Sequence, residues 1–149
     1  LKVPCAIRWP GVIKPGTKIP QTVSNLDWFP TLLAMAGVEL PKSVTLRGRD
    51  FTPLLRGQEV AWNNDLYAEY SMHHGATTHM RVWRTPRWKY MRDFANLGRE
   101  ELYDLANDPG ETRNLASSTR PEHVQIKTQL GQKILGRMTA LKDPALPGR

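Results

Sequence analysis

Three histidines lie close together between residues 71 and 79, at positions 73, 74 and 79. An imidazole can donate hydrogen bonds to anionic or sugar oxygens, and its charge changes near neutral pH. Imidazole also binds zinc, but the adjacent His73 and His74 followed by His79 are not a typical ligand spacing, and no cysteine or acid completes the set. The segment is therefore either a ligand-contacting loop or an ordinary exposed polar loop, and we assign no metal ligand to it.

Arg47 and Arg49 flank Gly48 and form a second group with the chemistry to bind an anion. A guanidinium can hold a carboxylate, phosphate or sulfate group through two parallel hydrogen bonds. Such arginines more often anchor a connector to a neighbouring domain. We favour the anchoring interpretation for this pair.

A third group of basic residues alternates with aromatic residues between positions 81 and 92. This alternation resembles a platform for single-stranded nucleic acid. A strand of an amphipathic hairpin produces the same period of two without any such ligand. We therefore expect no nucleic-acid partner, and we interpret the arginines as a solvated or interdomain face of a sheet: Arg81, Arg84, Arg87 and Arg92.

The composition indicates a folded, basic chain with one cysteine. Of the 149 residues 40% are hydrophobic, which favours a globular core over disorder. The net charge of +7 fits a protein that binds a polyanion, or one half of a larger protein whose other half is acidic. Cys5 cannot form an internal disulfide, and its apolar surroundings predict a buried, inert thiol. No apolar run approaches the roughly 18 residues of a membrane helix, so no membrane partner is expected.

The first part of the chain predicts a strand, a helix and a connector. Residues 3–9 predict a buried strand, and residues 19–23 a second short strand or an extended arm. A helix is predicted over residues 27–37, with Asp27 as N-cap and Gly37 as its C-terminal stop. Its apolar stripe consists of four residues at helical spacing, Phe29, Leu32, Leu33 and Ala36.

Residues 38–64 predict an irregular connector that contains one helical turn at residues 51–55. A change from helical to strand patterns follows this connector. We place the domain boundary within it, so that the two predicted domains are residues 1–57 and residues 58–149.

The second part of the chain predicts four short strands, over residues 65–70, 79–84, 87–92 and 101–105. Connections this short favour an antiparallel meander, with a hairpin turn at Thr85–Pro86 and a loop over residues 71–79. A helix is predicted over about residues 120–141, with Thr119 and Glu122 as a capping box. Four apolar residues would pack this helix on the sheet: Leu130, Ile134, Met138 and Leu141. The tail, residues 144–149, is expected to fray.

A turn after the fourth strand has unusually strong local signals. In residues 107–110, Asp108 accepts hydrogen bonds from the backbone beyond it, a proline fixes φ, and a glycine permits positive φ. We expect Leu115 to return to the core beneath this turn.

Several stretches resemble type I sulfatases of the alkaline-phosphatase superfamily, in matching order and spacing. The strand and turn of residues 3–16 resemble the segment that follows the metal site in that family, and residues 23–37 resemble the next helix. Residues 48–57 fit between that helix and the small sheet, as they do in the family. Residues 81–90 and the stretch Glu101–Leu115 resemble its C-terminal sheet. Nearly the whole chain resembles the C-terminal third of such an enzyme.

The resemblance implies an α+β chain: the end of an α/β sulfatase domain in residues 1–57, followed by a small four-stranded antiparallel sheet with one packed C-terminal helix in residues 58–149. It implies a parent enzyme that hydrolyses sulfate esters with a formylglycine nucleophile and a calcium ion held by aspartate and asparagine side chains. Family members usually follow a periplasmic, secreted or lysosomal route.

The chain departs from the family pattern at the catalytic centre. Cys5 is followed by Ala6, Ile7 and Arg8, so it does not form the Cys/Ser-x-Pro-x-Arg motif from which formylglycine is made, and that motif occurs nowhere else. The family's metal cluster would lie N-terminal to Leu1. We therefore assign no catalytic residue, metal ligand or cofactor to this chain, and we predict that by itself it hydrolyses no sulfate ester.

The resemblance also implies what this part of the enzyme contributes. Its partner would be the N-terminal catalytic part of the same enzyme, whose core it completes and whose substrate cleft it walls. In the family, the side of the sheet with residues 71–79 borders that cleft, so His73 and His74 are expected to contact a sulfated small molecule or sugar. Two alternatives stay open: a stand-alone basic module for nucleic acid or a sulfated polyanion, and the tail of a phosphodiesterase or phosphonate hydrolase of the same superfamily.

Overall fold

The computed structural model describes residues 3–39 and 43–146, which belong to two compact units, Leu1–Asn64 and Asp65–Arg149. The boundary between the two units falls between Asn64 and Asp65 in the chain, a few residues beyond the boundary predicted after residue 57. Among the described residues, no helix combines the length and the apolar character needed to cross a bilayer.

The first unit is built around two short helices. Helix α1, Trp28–Met35, follows a 3-10 turn at Asn25–Asp27, and helix α2 is Thr52–Leu55. As predicted, Asp27 immediately precedes α1, and Gly37 ends it with a φ of +69°. The Asp27 carboxylate accepts hydrogen bonds from the backbone N–H groups of Ser24 and Arg49 at 2.7 and 2.8 Å, so it joins the connector to the helix start.

The core of the first unit is a small cluster of Phe51, Leu54 and Leu55. Trp28 packs edge-on against Phe51, with ring centroids 5.3 Å apart, and the backbone N–H of Phe51 donates to the buried Thr31 hydroxyl at 3.0 Å. The helix therefore buries its Pro30 and Thr31 side against the connector.

Two predictions for the first unit are wrong. None of the described residues before Leu66 lies in a strand, so the strand predicted over residues 3–9 is not formed, and Cys5 is exposed instead of buried. Of the two alternatives for residues 19–23, the strand is not formed. An apolar pattern can signal burial, but a strand forms only where a neighbour offers backbone groups. The apolar stripe of α1 is also exposed in part, since Phe29 and Leu32 are 54% and 53% accessible.

The second unit confirms the predicted α+β meander. Its strands are β1 Leu66–His74, β2 Ala76–Arg84, β3 Trp88–Asp93 and β4 Glu100–Asp104, each antiparallel to the next. The turn at Thr85–Pro86 is confirmed by a hydrogen bond from the Thr85 N–H to the Trp88 carbonyl at 2.7 Å.

The predicted loop over residues 71–79 is wrong. β1 and β2 continue through it to a tight turn at Gly75, whose φ is +71°. The turn requires a left-handed conformation that glycine adopts without steric cost. The three histidines therefore lie on paired strands.

Helix α3, Pro121–Leu141, covers one face of the sheet, as predicted. Leu130, Ile134 and Met138 are almost completely buried against Trp88, Tyr90 and Leu102 of the sheet. The predicted capping box is wrong: Pro121 is the first helical residue, Arg120 is the N-cap, and Glu122 instead forms an ion pair with Arg87.

The chain turns sharply after α3. Lys142 has a φ of +53°, and its N–H bonds to carbonyls of the last helical turn. Ala145 and Leu146 then pack against the core, and the Ala145 N–H donates to the Asp143 carboxylate at 2.9 Å. Fraying is therefore not observed over residues 144–146, while residues 147–149 lie outside the described part of the chain.

The turn after β4 agrees with its prediction at Asp108, whereas the positive φ, +55°, falls on Glu111 and not on Gly110. The Asp108 carboxylate accepts hydrogen bonds from the backbone N–H groups of Thr112 and Arg113 at 3.1 and 2.9 Å. The Asn114 side chain then clamps β4, accepting from the Leu102 N–H at 3.0 Å. Leu115 is partly buried against the core, as expected.

Candidate functional site: the β1–β2 hairpin

The register of β1 and β2 divides the predicted histidine pair between two faces of the sheet. Ser71 lies opposite His79, and His73 lies opposite Thr77. Directly opposed residues of an antiparallel pair share a face, whereas consecutive residues alternate. Ser71, His73 and His79 therefore share the face that α3 covers further along, and His74 belongs to the other face.

The shared face brings two imidazoles together near the tip of the hairpin. The ring centroids of His73 and His79 are 5.0 Å apart, in an edge-to-face arrangement. The Ser71 Oγ lies 3.1 Å from His79 Nδ1, and the Thr77 hydroxyl lies 3.5 Å from His73 Nδ1. His73 is exposed and His79 is half-buried. Such a pair can present N–H donors to an anionic or sugar oxygen.

A buried ion pair lies beneath this polar group. Arg81 Nε and Nη2 donate to the two carboxylate oxygens of Asp143 at 2.6 and 2.8 Å, and each side chain is 2% exposed. Hydrogen bonds from Arg81 lower the pKa of Asp143, and the same bonds raise the pKa of Arg81. The prediction that Arg81 lies on a solvated or interdomain face is therefore wrong.

The ion pair is surrounded by further polar contacts. Arg81 Nη1 donates to the Ser71 hydroxyl at 3.2 Å and to the Met80 carbonyl at 3.0 Å. The Tyr67 hydroxyl lies 3.5 Å from Asp143, and burial followed by the charge of Glu69 raises the pKa of Tyr67 to about 12. Arg81 thus connects the end of α3 with the hairpin.

Asp93 fixes the opposite edge of β2. Its buried carboxylate accepts hydrogen bonds from the Thr78 hydroxyl at 2.7 Å and from the His79 N–H at 2.9 Å. Burial by itself would raise the pKa of Asp93, but these bonds, with others from Asn96 and Ala95, together lower it. The backbone that carries His79 is therefore held from both sides.

The remaining arginine group serves as an anchor in the first unit. The Arg49 guanidinium lies 3.9 Å from the centre of the Trp62 ring and donates to the Asn63 carbonyl at 3.1 Å. This geometry agrees with the anchoring interpretation, although the anchored segment lies within the same unit. Arg47 is exposed.

The cations between residues 81 and 92 are largely engaged by acids of the same chain. Arg81 pairs with Asp143, and the buried Lys89 pairs with Glu111. Arg87 contacts Asp104 and Glu122, and Arg92 lies 3.6 Å from Glu100. A nucleic-acid platform needs unengaged cations beside exposed aromatic faces, so this arrangement does not favour that alternative.

Calcium and formylglycine do not fit the residues that the structure describes. Calcium takes six to eight oxygen ligands, and within residues 3–39 and 43–146 no three histidine, cysteine or acidic side chains form a group that could hold a metal. Cys5 lacks the motif for formylglycine. No step of the chemistry can therefore be assigned to a metal or a modified residue of these segments.

The sequence missed the Arg81–Asp143 pair, but it contained one signal. Arg81 has the same strand parity as Trp83, which places a charge on a face otherwise occupied by aromatic residues. A charge on a buried face requires a partner. The identity of that partner, 62 positions later and beyond the end of α3, could not be read from any local pattern.

Comparison with known proteins agrees with this fold and with the sequence resemblance. The chain matches the family described as N-sulphoglucosamine sulphohydrolase, C-terminal, over residues 1–140. An ulvan-active sulfatase of Formosa agariphila is 34% identical over 96% of this chain and 34% of its own length. Steryl-sulfatase of Homo sapiens is 40% identical over 85% of this chain and 26% of its own length.

Solved structures show the same similarity. BT4656, in complex with its substrate D-glucosamine-2-N,6-O-disulfate, has a TM-score of 0.72 at 26% identity, over 94% of this chain and 29% of that chain. BT1596, a 2-O GAG sulfatase, has a TM-score of 0.66 at 32% identity, over 78% of this chain and 25% of that chain. The chain spans about a third or less of the length of these relatives. Since the family match extends over nearly all of its residues, the chain belongs to the family of C-terminal domains of type I sulfatases.

Proposed function

We propose that this chain is the C-terminal part of an enzyme that hydrolyses sulfate esters, and that the nucleophile and the calcium ion belong to the N-terminal catalytic part of that enzyme. The family match and the relatives named as sulfatases support this proposal. The substrate named for BT4656, a disulfated glucosamine, supports a sulfated sugar as the substrate class.

The exposed apolar residues of the first unit support a role in completing a larger core. Val3, Phe29 and Leu32 are all more than half exposed. Soluble domains usually cover such residues when they are contiguous with other apolar surface. In the proposed enzyme the catalytic part covers them, and the first unit supplies the end of its α/β domain.

The hairpin tip is the observation that carries the proposed contact with substrate. His73 and His74 are both exposed at the end of two paired strands. Strands and helices hold contacting groups more precisely than loops do. We propose that this tip walls the cleft and that its imidazoles bind oxygens of the sulfated substrate.

The test is steady-state kinetics of the full-length enzyme with His73→Ala and His74→Ala. Loss of one hydrogen bond to a charged group is expected to raise KM about tenfold. Gln129→Ala, at an exposed position of α3, is the matched control and should leave KM unchanged. Unchanged KM in both histidine variants would refute the proposed contact between these imidazoles and the substrate. A preference for phosphate diesters over sulfate esters would instead assign the enzyme to the alternative class of the superfamily.

A further inference from the structure

The hairpin contains a continuous polar path from the buried ion pair to the exposed imidazoles. It starts at Asp143, passes through Arg81 to the Ser71 hydroxyl at 3.2 Å, and continues to His79 Nδ1 at 3.1 Å. His79 then packs edge-to-face on His73, with ring centroids 5.0 Å apart. Every step joins residues on one face of the sheet or packed against it.

The hydrogen bond between Arg81 and Ser71 has only one possible direction. A guanidinium can only donate, so Ser71 Oγ must accept from Arg81. The Ser71 hydroxyl keeps one proton and one further lone pair, so it can either donate to His79 Nδ1, 3.1 Å away, or accept from it. Donation by Ser71 leaves Nδ1 without a proton, and neutral His79 then carries its proton on Nε2.

The guanidinium is itself held in one orientation. Its Nε and Nη2 are bound to Asp143, and its Nη1 donates to both the Met80 carbonyl and the Ser71 hydroxyl. With four donor contacts and 2% exposure, Arg81 cannot rotate away without breaking a buried ion pair. The fold therefore fixes Ser71 Oγ as the acceptor of the hydrogen bond from Arg81.

We propose that Arg81 and Asp143 are positioning residues that set the tautomer and orientation of His79 through Ser71, and that the cross-strand pair His73–His79 receives an anionic oxygen of the substrate. The contact with the substrate rests on the proposed function, whereas the positioning role concerns the chain alone. His79 presents its Nε2–H away from Ser71, as a donor whose direction is set before the substrate binds. Preset donors bind an anion without a further ordering cost.

The first test reads the tautomer directly. The chain has four histidines, so side-chain ¹⁵N resonances of the ¹⁵N-histidine-labelled protein can be assigned with one variant per histidine. At a pH where the imidazoles are neutral, His79 is expected to be the single Nε2–H tautomer. Ser71→Ala should convert it to a mixture, and Ser71→Thr, which keeps the hydroxyl, should restore the single form. An unchanged His79 spectrum in Ser71→Ala would overturn the positioning role.

Ser71 is exposed, so Ser71→Ala is expected to leave the buried Arg81–Asp143 pair and the fold intact. Arg81→Lys is the complementary variant, since the single ammonium nitrogen of a lysine can pair with Asp143 but lacks the guanidinium fork that reaches Asp143 and Ser71 through separate nitrogens. Loss of the single tautomer in a folded Arg81→Lys protein supports the proposal, and its retention contradicts it.

The second test uses the full-length enzyme and a double-mutant cycle. His79→Ala is expected to raise KM about tenfold, and Ser71→Ala is expected to raise it by a smaller factor. In the His79→Ala background, Ser71→Ala should cause no further rise in KM, because Ser71 acts through the His79 ring. Gln129→Ala, at an exposed position of α3, is the matched control and should leave KM unchanged. Additive effects of Ser71 and His79 would overturn the positioning role, whereas unchanged KM in His73→Ala and His79→Ala would refute the substrate contact and leave the tautomer result standing.

Discussion

Removal of the Asp143 carboxylate is the perturbation whose effect follows most directly from the structure. In Asp143→Ala, Arg81 keeps its charge at 2% exposure, while Nε and Nη2 lose the acceptors that now lie 2.6 and 2.8 Å away. Breaking one side of a buried ion pair costs about 3–5 kcal/mol, because the remaining charge has no compensation. The Ala145 N–H loses its acceptor as well.

Urea unfolding followed by circular dichroism measures this cost. With an m value of about 2 kcal/mol per molar urea, the expected loss lowers the midpoint by about 2 M. The double variant Arg81→Met/Asp143→Ala should recover much of it, because replacing both members of a buried pair by apolar groups is close to neutral. Lys133→Ala is the control, since Lys133 is 49% exposed in its ion pair with Asp65 and should cost less than about 1 kcal/mol. A loss below about 1 kcal/mol in Asp143→Ala, or no recovery in the double variant, would refute the reasoning.

Four further predictions concern stability. Gly136→Ala should stabilise the chain by up to about 1 kcal/mol in urea unfolding, because a Cβ there meets open space on α3; Gly48→Ala should destabilise it by about 3 kcal/mol, because its Cβ would lie 1.9 Å from a backbone oxygen. Asn114→Ala should lower the guanidinium midpoint by an amount equivalent to about 1–3 kcal/mol, because the N–H of the fully buried Leu102 loses its partner. The pKa of Asp93 is lowered in the folded chain. Its contribution to the free energy of unfolding is therefore complete above the unfolded-state pKa of about 3.9 and is lost as the pH falls further. The free energy of unfolding between pH 5 and 3 should depend less on pH in Asp93→Asn, and an identical slope would contradict this assignment.

Local patterns predicted most of the second unit correctly. The alternation between residues 81 and 92 predicted the strands β2 and β3. Helical spacing identified the three buried residues of α3, whereas Leu141, the fourth residue predicted to pack on the sheet, is not among them. The turn chemistry around Asp108 was also read correctly. These features depend on neighbours a few positions apart, whose relations the chain itself imposes.

The patterns failed where an outcome depended on distant groups. Residues 3–9 have an apolar composition typical of a strand, but a strand requires a hydrogen-bonding neighbour that the described part of this unit does not provide. The histidines between residues 71 and 79 were expected in a loop, since their polar character hides the continuation of β1 and β2 to Gly75.

The candidate site shows the same division between local and tertiary information. The amino-acid sequence by itself determined that this chain resembles the C-terminal part of a sulfatase, that it lacks the nucleophile motif, and that imidazoles cluster near His73. Only the tertiary structure decided which imidazoles share a face, because strand register assigns His79 to His73 and separates His74. It also decided that Arg81 is buried with Asp143, because the free energy of a charge depends on its surroundings in space and not on its neighbours in the chain.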